Sequence, residues 1–347
     1  MKRSGLPLLF CREDKVFFPL RLVTCLKRLI CLMLVVFPFG TQVGAADLSQ
    51  PLPVRNLYPP MMRFFDPTPD SALRAYDQAW SFELNQHFST MNSFDFYPGS
   101  TLISDMELYV IDPVVRRAVS SNLELSLRVP LLRPWNGVLD GTIQAFHKVF
   151  SMPNGGRQLR PNNSFAYSYD NGKGTSWQGG NRWETGNAEL SARYGLSEGS
   201  EWAVAGLAAI KLPTASQARG WGSGAADMGA GLVASWTSGI WFGHIESWLI
   251  RPLANDTPGV SYVSYLRGSI AAGYRFDGMS MMFQFQGGSS PYRSTGLDWL
   301  ESPPMLITFG LRGDIRQDFG WSLAVTENIT QRTTQDISMT LGLNFSM

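Results

Sequence analysis

Ile337-Ser-Met-Thr-Leu-Gly-Leu-Asn-Phe345 alternates strictly: Ile337, Met339, Leu341, Leu343 and Phe345 fall on one face, Ser338, Thr340, Gly342 and Asn344 on the other. Successive side chains of a β-strand point to opposite faces, so a period of two marks a strand with one apolar and one polar side. The scheme recurs upstream. Asn122–Val129 sets Leu123, Leu125, Leu127 and Val129 against Asn122, Glu124, Ser126 and Arg128. Asn187–Tyr194 sets Ala188, Leu190, Ala192 and Tyr194 against Asn187, Glu189, Ser191 and Arg193. Looser alternation covers 80–88, 101–111, 201–212, 226–237, 240–251, 262–276, 279–288, 305–316 and 319–328.

Most of these segments approach the ~9–11 residues that a tilted transmembrane strand needs. Short links such as Asp277-Gly278 and Thr237-Ser238-Gly239 suit hairpins, and longer ones at 131–162, 213–225 and 289–304 alternate with them. Short turns on one rim and long loops on the other is the pattern of an outer-membrane protein. The expected fold is therefore all-β, an antiparallel transmembrane β-barrel of about 12 strands, within a range of roughly 10–14. A secreted β-sandwich would also alternate, with its apolar face inward. Long strands in an even series oppose it, as does the scarcity of Lys beyond residue 46, where only Lys148, Lys173 and Lys211 occur. Phe165, Tyr167 and Tyr169 alternate too and read as a thirteenth strand or a loop hairpin. Trp80, Tyr109, Tyr194, Trp202, Trp236, Trp241, Tyr274, Phe319 and Trp321 lie near segment boundaries, where an interfacial aromatic girdle would place them.

The N-terminus reads as an address. Lys27 and Arg28 precede an apolar run from Leu29 to Phe39, followed by the small residues Gly44, Ala45 and Ala46. That is the plan of a cleaved signal peptide, and the run is too short for a spanning helix. All three cysteines, Cys11, Cys25 and Cys31, fall in this region, so no disulfide framework or thiol nucleophile is expected beyond it. Residues 1–46 hold seven of the 29 basic and two of the 28 acidic groups, leaving 22 basic and 26 acidic, which argues against a nucleic-acid partner. Pro51-Leu-Pro-Val-Arg-Asn-Leu-Tyr-Pro-Pro60 and Asp66-Pro-Thr-Pro-Asp70 follow. Prolines bar both a central strand and a helix interior, so residues 46–79 read as an extended periplasmic lead-in. The expected organisation is a signal peptide at 1–45, the lead-in at 46–79 and a barrel at 80–347.

Thr340-Leu-Gly-Leu-Asn-Phe-Ser-Met347 resembles the terminal signal by which outer-membrane barrels are recognised by their assembly machinery, with Gly342, Phe345 and Met347 at its key positions. Met347 departs from the aromatic usual at the end. The resemblance implies the assembly machinery and outer-membrane lipid as partners, and the outer membrane of a Gram-negative cell as location. The strings Pro51-Leu-Pro-Val-Arg-Asn56, Phe146-His147 with Pro153-Asn-Gly-Gly-Arg157, and Lys211-Leu-Pro-Thr214 resemble a group of Gram-negative exported proteins known as a domain of unknown function. Lys211-Leu-Pro-Thr214 is also similar to barrels linked to uptake of aromatic or fatty compounds. Neither likeness implies catalytic residues.

Little chemistry is written in the chain. His87, His147 and His244 lack metal-ligand spacing, and no Walker loop or dinucleotide fingerprint occurs, so neither a metal nor a cofactor is expected. Asp140–Arg157 carries Ile143, Phe146, Val149 and Phe150 at helical spacing behind a capping Asp140, predicting a short amphipathic helix in one long loop. His147 and Ser151 stand four apart there. With Asp140 they are the weak catalytic candidates for a lipid hydrolase, because a catalytic His must reach its nucleophile. On the barrel, Glu124, Arg128, Glu189, Arg193, Arg267, Arg275 and Arg312 are expected to face the lumen. The favoured function is passive passage of a small solute, a lipophilic one included. The alternatives are the His147 hydrolase and a structural or adhesive barrel.

Overall fold

The computed structural model describes residues 48–73, 79–149, 151, 157, 160–316 and 318–347. The expected signal peptide lies outside the described residues. The first elements are helix α1 (Pro59–Met62), strands β1 (Trp80–Tyr97), β2 (Ser100–Ala118), β3 (Leu123–Arg128) and β4 (Leu131–Trp135), then helix α2 (Asp140–Val149). There follow β5 (Ala166–Asp170), β6 (Ser176–Gln178), β7 (Glu184–Thr185), β8 (Glu189–Glu198), β9 (Trp202–Lys211), β10 (Asp227–Ser238) and β11 (Trp241–Pro252). The chain ends with β12 (Ser261–Tyr262), β13 (Tyr265–Phe276), β14 (Met279–Gly288), β15 (Tyr292–Arg293), α3 (Asp298–Glu301), β16 (Met305–Arg316), β17 (Phe319–Asn328) and β18 (Ile337–Ser346).

β1 pairs with both β2 and β18, which closes the sheet into a 12-strand antiparallel barrel. β3 and β4 together make its third wall position, each bonded to β2. Closure removes the unpaired edge that a bilayer would not tolerate. The seam is long: β1 runs beside β18 from Ser81↔Ser346 to Thr90↔Ile337. β5 bonds the far end of β2 and pairs with β6, off the ring, so the Phe165–Tyr169 alternation is a loop hairpin. The predicted helix in the long loop is α2, which starts at Asp140 and runs to Val149; Phe150 lies outside the described residues.

The two faces of the wall are inverted relative to a soluble protein. Leu125, Leu249, Ile270 and Phe283 are 45%, 59%, 56% and 51% exposed, while Glu124, Ser269, Gln284 and Thr308 on the opposite faces are buried. Apolar outside and polar inside is stable only against lipid, which removes the sandwich alternative. Around the rim of short turns, Trp202 packs with Trp236 and Trp241 with Tyr274, as interfacial rings do. That rim also holds the start of β1 and the end of β18, where Trp80 N donates to Met347 O at 3.0 Å. By the usual polarity of such barrels it is the periplasmic rim, and the long loops are extracellular.

The Pro-rich lead-in is not outside the barrel. Residues 48–73 form a hairpin within the lumen, nearly all buried. Leu48 O accepts from Ser280 Oγ (2.6 Å) near the short-turn rim, and Leu52 N donates to Gln284 Oε1 (3.2 Å) higher up. Asn56 Nδ2 reaches Thr333 O (2.7 Å) in the β17–β18 loop, and Tyr58 O–H meets Ser93 Oγ (3.2 Å). The chain turns through α1 and descends: Phe65 N donates to Asp227 Oδ2 (2.7 Å), and Ala72 N to Ser235 Oγ (2.8 Å). Proline forbids joining a ladder, but it does not forbid burial among side chains. A polar wall needs partners, and this segment supplies them.

Candidate functional site

The lumen is the site, and its chemistry lies between wall and hairpin. Arg55 Nη2 donates to Glu189 Oε1 (3.1 Å), Arg267 Nε to Asp66 Oδ1 (2.6 Å), and Arg116 Nη1 to Asp70 Oδ2 (3.1 Å). Asp66 also binds the hairpin to itself, its Oδ2 accepting from Asn56 N on the ascending limb (3.1 Å). Arg63 donates to Gly222 O (3.0 Å) and stacks 3.9 Å above the Trp177 ring. Lys211 Nζ donates to Arg63 O (3.0 Å) and pairs with Asp227 (3.3 Å), the residue that holds Phe65 N. Among the described residues, every hydrogen bond from hairpin to wall involves a side chain, and no backbone ladder joins the two.

At the extracellular end the hairpin tip sits in a ring cluster. Tyr58 meets Trp299 (6.0 Å), Phe64 meets Tyr292 edge-on (5.1 Å), and Tyr167 meets Trp221 (5.2 Å). Tyr292 O–H donates to Pro60 O (2.9 Å). Burial pushes the phenol of Tyr292 up, so it remains a neutral donor.

Of the residues read from sequence, Glu124, Arg128, Glu189, Arg193 and Arg267 are buried against the hairpin or its cavities. Arg312 is half-buried and donates to Pro51 O (3.1 Å). Arg275 belongs to the same face of β13 and lies at the short-turn rim, where it donates to Gly239 O (2.9 Å). Arg128 and Glu189 join a chain of charges: Arg128 Nη1 donates to Glu189 Oε2 (3.2 Å), its Nε to Asp112 Oδ1 (2.5 Å), and Asp112 faces His87 Nε2 (3.4 Å). His244 Nδ1 meets Ser235 Oγ (2.8 Å) and its Nε2 meets Ser49 O (2.5 Å), a lumen hydrogen bond to the hairpin.

Two of the three catalytic candidates, Asp140 and Ser151, lie among the described side chains. Asp140 accepts from Arg157 and from Asn163 N (2.7 Å), which commits its carboxylate to loop architecture. Ser151 is an exposed turn residue at φ 55°, and the His147 side chain lies outside the described residues. Among the described residues no His, Cys, Asp and Glu group has metal-binding geometry.

Sequence reasoning missed Arg55, Arg63, Asp66 and Asp70, the hairpin's half of the site. The available signal was their mixture with Leu52, Val54, Leu57, Tyr58, Met61, Met62, Phe64 and Phe65, which is too apolar for a segment bathed in water.

Beneath the descending limb a cavity encloses about 660 Å³, counting its solvent-open part, between Phe65, Arg116, Glu124, Arg193, Leu207 and Trp248. A second of about 370 Å³ lies between Asp66, Glu246 and Arg267.

Over residues 28–347 the sequence matches the profile of a family described as Protein of unknown function (DUF3187). The chain belongs to the DUF3187 family. No curated protein matches it. Among solved structures it is similar to the COG4313 outer membrane channel from Pseudomonas putida F1, at a TM-score of 0.50 and 10% identity, covering 78% of this chain and 96% of that one. The translocator domain of autotransporter NalP from Neisseria meningitidis (TM-score 0.41, 9% identity, 79% and 91% covered) is similar at a lower level. So is the Pseudomonas putida toluene transporter TodX (TM-score 0.39, 10% identity, 79% and 91% covered). At such identities the first likeness speaks for the fold: this DUF3187 chain is an outer-membrane β-barrel.

Proposed function

We propose that this barrel is an outer-membrane channel for a small solute, held closed here by its own N-terminal hairpin. The observation that carries the reading is the nature of the hairpin's attachment. Among the described residues, side-chain hydrogen bonds, ion pairs and apolar packing hold it to the wall and no backbone ladder does, so it can leave without breaking a strand ladder or opening the ring. A structural barrel gains nothing from a polar lumen stoppered by a separate segment; apolar filling would be as stable or more so. The resemblance to an outer membrane channel from Pseudomonas putida F1 points the same way.

Liposome flux tests this. The full protein should pass a small uncharged sugar slowly, and removal of residues 48–73 from the mature chain should speed passage many-fold. Equal, negligible flux from both proteins, each verified as folded by its altered gel mobility before boiling, would refute the channel. Lipid turnover abolished by His147→Ala would support the hydrolase instead.

A further inference from the structure

We propose that the cavity beneath the descending limb is a binding site for a small monocarboxylate with an apolar body, and that Arg193 on β8 grips the carboxylate. The proposal deepens the channel reading and rests on it for its biological sense, since the ligand would be the solute carried.

Three arginines line the cavity, and two are held by carboxylates. Arg128 is clasped by Asp112 and Glu189. Arg116 donates to Glu83 Oε1 (2.8 Å) and Asp70 Oδ2 (3.1 Å). Arg193 differs. It is 5% exposed, and its Nη1 donates to Ala72 O (2.8 Å) on the hairpin. Its Nε and Nη2, the two donors of one guanidinium edge, have no hydrogen-bond partner among the described residues. Glu124 Oε2 lies 3.5 Å from Nη2, within ion-pair reach only, and Glu124 is shared with Arg116 at the same distance.

Buried donors are normally satisfied, and an edge offering two parallel N–H groups matches the two oxygens of a carboxylate. Arg193 is also held in place by Ala72 O, so the edge is oriented before any ligand arrives. The rest of the ligand is described by the other walls. Phe65, Val114, Leu207 and Trp248 give apolar surface for the body of such a ligand. Asp70, Glu83, Glu124 and Glu189 line the same space. These carboxylates repel a multiply charged anion more than a singly charged one, which favours a monocarboxylate over a phosphate.

Calorimetry on the purified full-length mature barrel in detergent tests the site, with sodium benzoate as probe and benzyl alcohol and inorganic phosphate as comparisons. Benzoate should bind saturably, and both comparisons about tenfold or more weakly. Arg193→Gln should weaken benzoate about tenfold or more, Arg193→Lys should recover only part because an ammonium cannot present a fork, and Glu124→Gln should tighten it. Benzyl alcohol binding as well as benzoate, an unchanged affinity in folded Arg193→Gln, or no benzoate binding at millimolar concentration would each overturn the proposal. If the variants fail to fold, the three-ligand comparison on the unaltered protein still decides. Sugar flux measured alongside separates the two readings. Flux without benzoate binding overturns the site and leaves the channel, while specific benzoate binding without flux supports the site and retires the channel.

Discussion

Asp66→Asn tests whether the hairpin is a detachable stopper. Asp66 accepts from Arg267 Nε on β13 (2.6 Å) and from Asn56 N across the hairpin (3.1 Å), so it both staples the segment to the wall and closes it on itself. Both members of the ion pair are buried, with side chains 5% and 7% exposed. Removing one partner of such a pair costs about 3–5 kcal/mol, because the other charge is left uncompensated. Arg267 retains the carbonyls of Leu266 and Ser289, so the low end applies, about 3 kcal/mol. At tenfold per ~1.4 kcal/mol this raises the population of the released hairpin about a hundredfold, provided the barrel itself holds. The readout is a single thiol. The chain's own cysteines are Cys11, Cys25 and Cys31, all within the expected signal peptide, and Ala72 is 5% exposed on the descending limb. Ala72→Cys should react slowly with a bulky maleimide in the parent and about a hundred times faster beside Asp66→Asn, since labelling follows the open population. The heat midpoint of the gel-mobility shift should change far less than the labelling. Equal labelling rates in the two backgrounds would refute the stopper.

Other expectations follow from the wall. Ile270 faces lipid at 56% exposure midway along β13, so Ile270→Arg should lower folding stability in vesicles by about 2–4 kcal/mol, measured by urea titration. No loss would mean that the facing is misassigned. Gly229 faces the hairpin, and a Cβ there would meet Phe65 at 3.2 Å and Trp248 at 3.3 Å, tighter than ordinary contact. Gly229→Leu should therefore raise sugar flux while leaving the ring closed; unchanged flux would argue that Phe65 does not brace the closed state. Deleting Phe345–Met347 removes the last pairs of the β1–β18 seam, Phe82↔Phe345 and Ser81↔Ser346, and the proposed assembly signal with them. Export should continue and insertion should fail, as read by fractionation and gel mobility; normal insertion would discount the signal.

The wall was readable because a membrane barrel obeys one rule at every strand: Leu125 and Glu124 must point to opposite solvents. What escaped reading had no period to read. Pro51–Pro60 belongs to no ladder, and its burial is set by Gln284, Gln335 and Glu189, residues far away in sequence. Pattern analysis detects a repeat along one segment and is blind to a partner on another. The β1–β2 hairpin was read short for a related reason. It continues to Tyr97 and Ser100, past the alternating stretch and into residues that pair with each other and with the loop strand β5. Strand parity treats Arg193 and Arg275 alike, whereas Arg193 lines the cavity and Arg275 bonds a carbonyl of a short turn.

The hairpin also has a consequence for the order in which the protein acquires its structure. It precedes every described strand, yet Asn56 bonds Thr333 and Leu57 bonds Gln335, contacts 277 and 278 residues apart. Such contacts cannot form until the last strands exist and the β1–β18 seam has brought Thr333 and Gln335 beside the end of β1's paired stretch. The first described segment of the sequence is thus the last to reach its place. Until then the polar inner wall is wet, and water, not the hairpin, satisfies Gln284 and Glu189. Locking of the lumen should lag behind closure of the ring as a separate, slower kinetic phase.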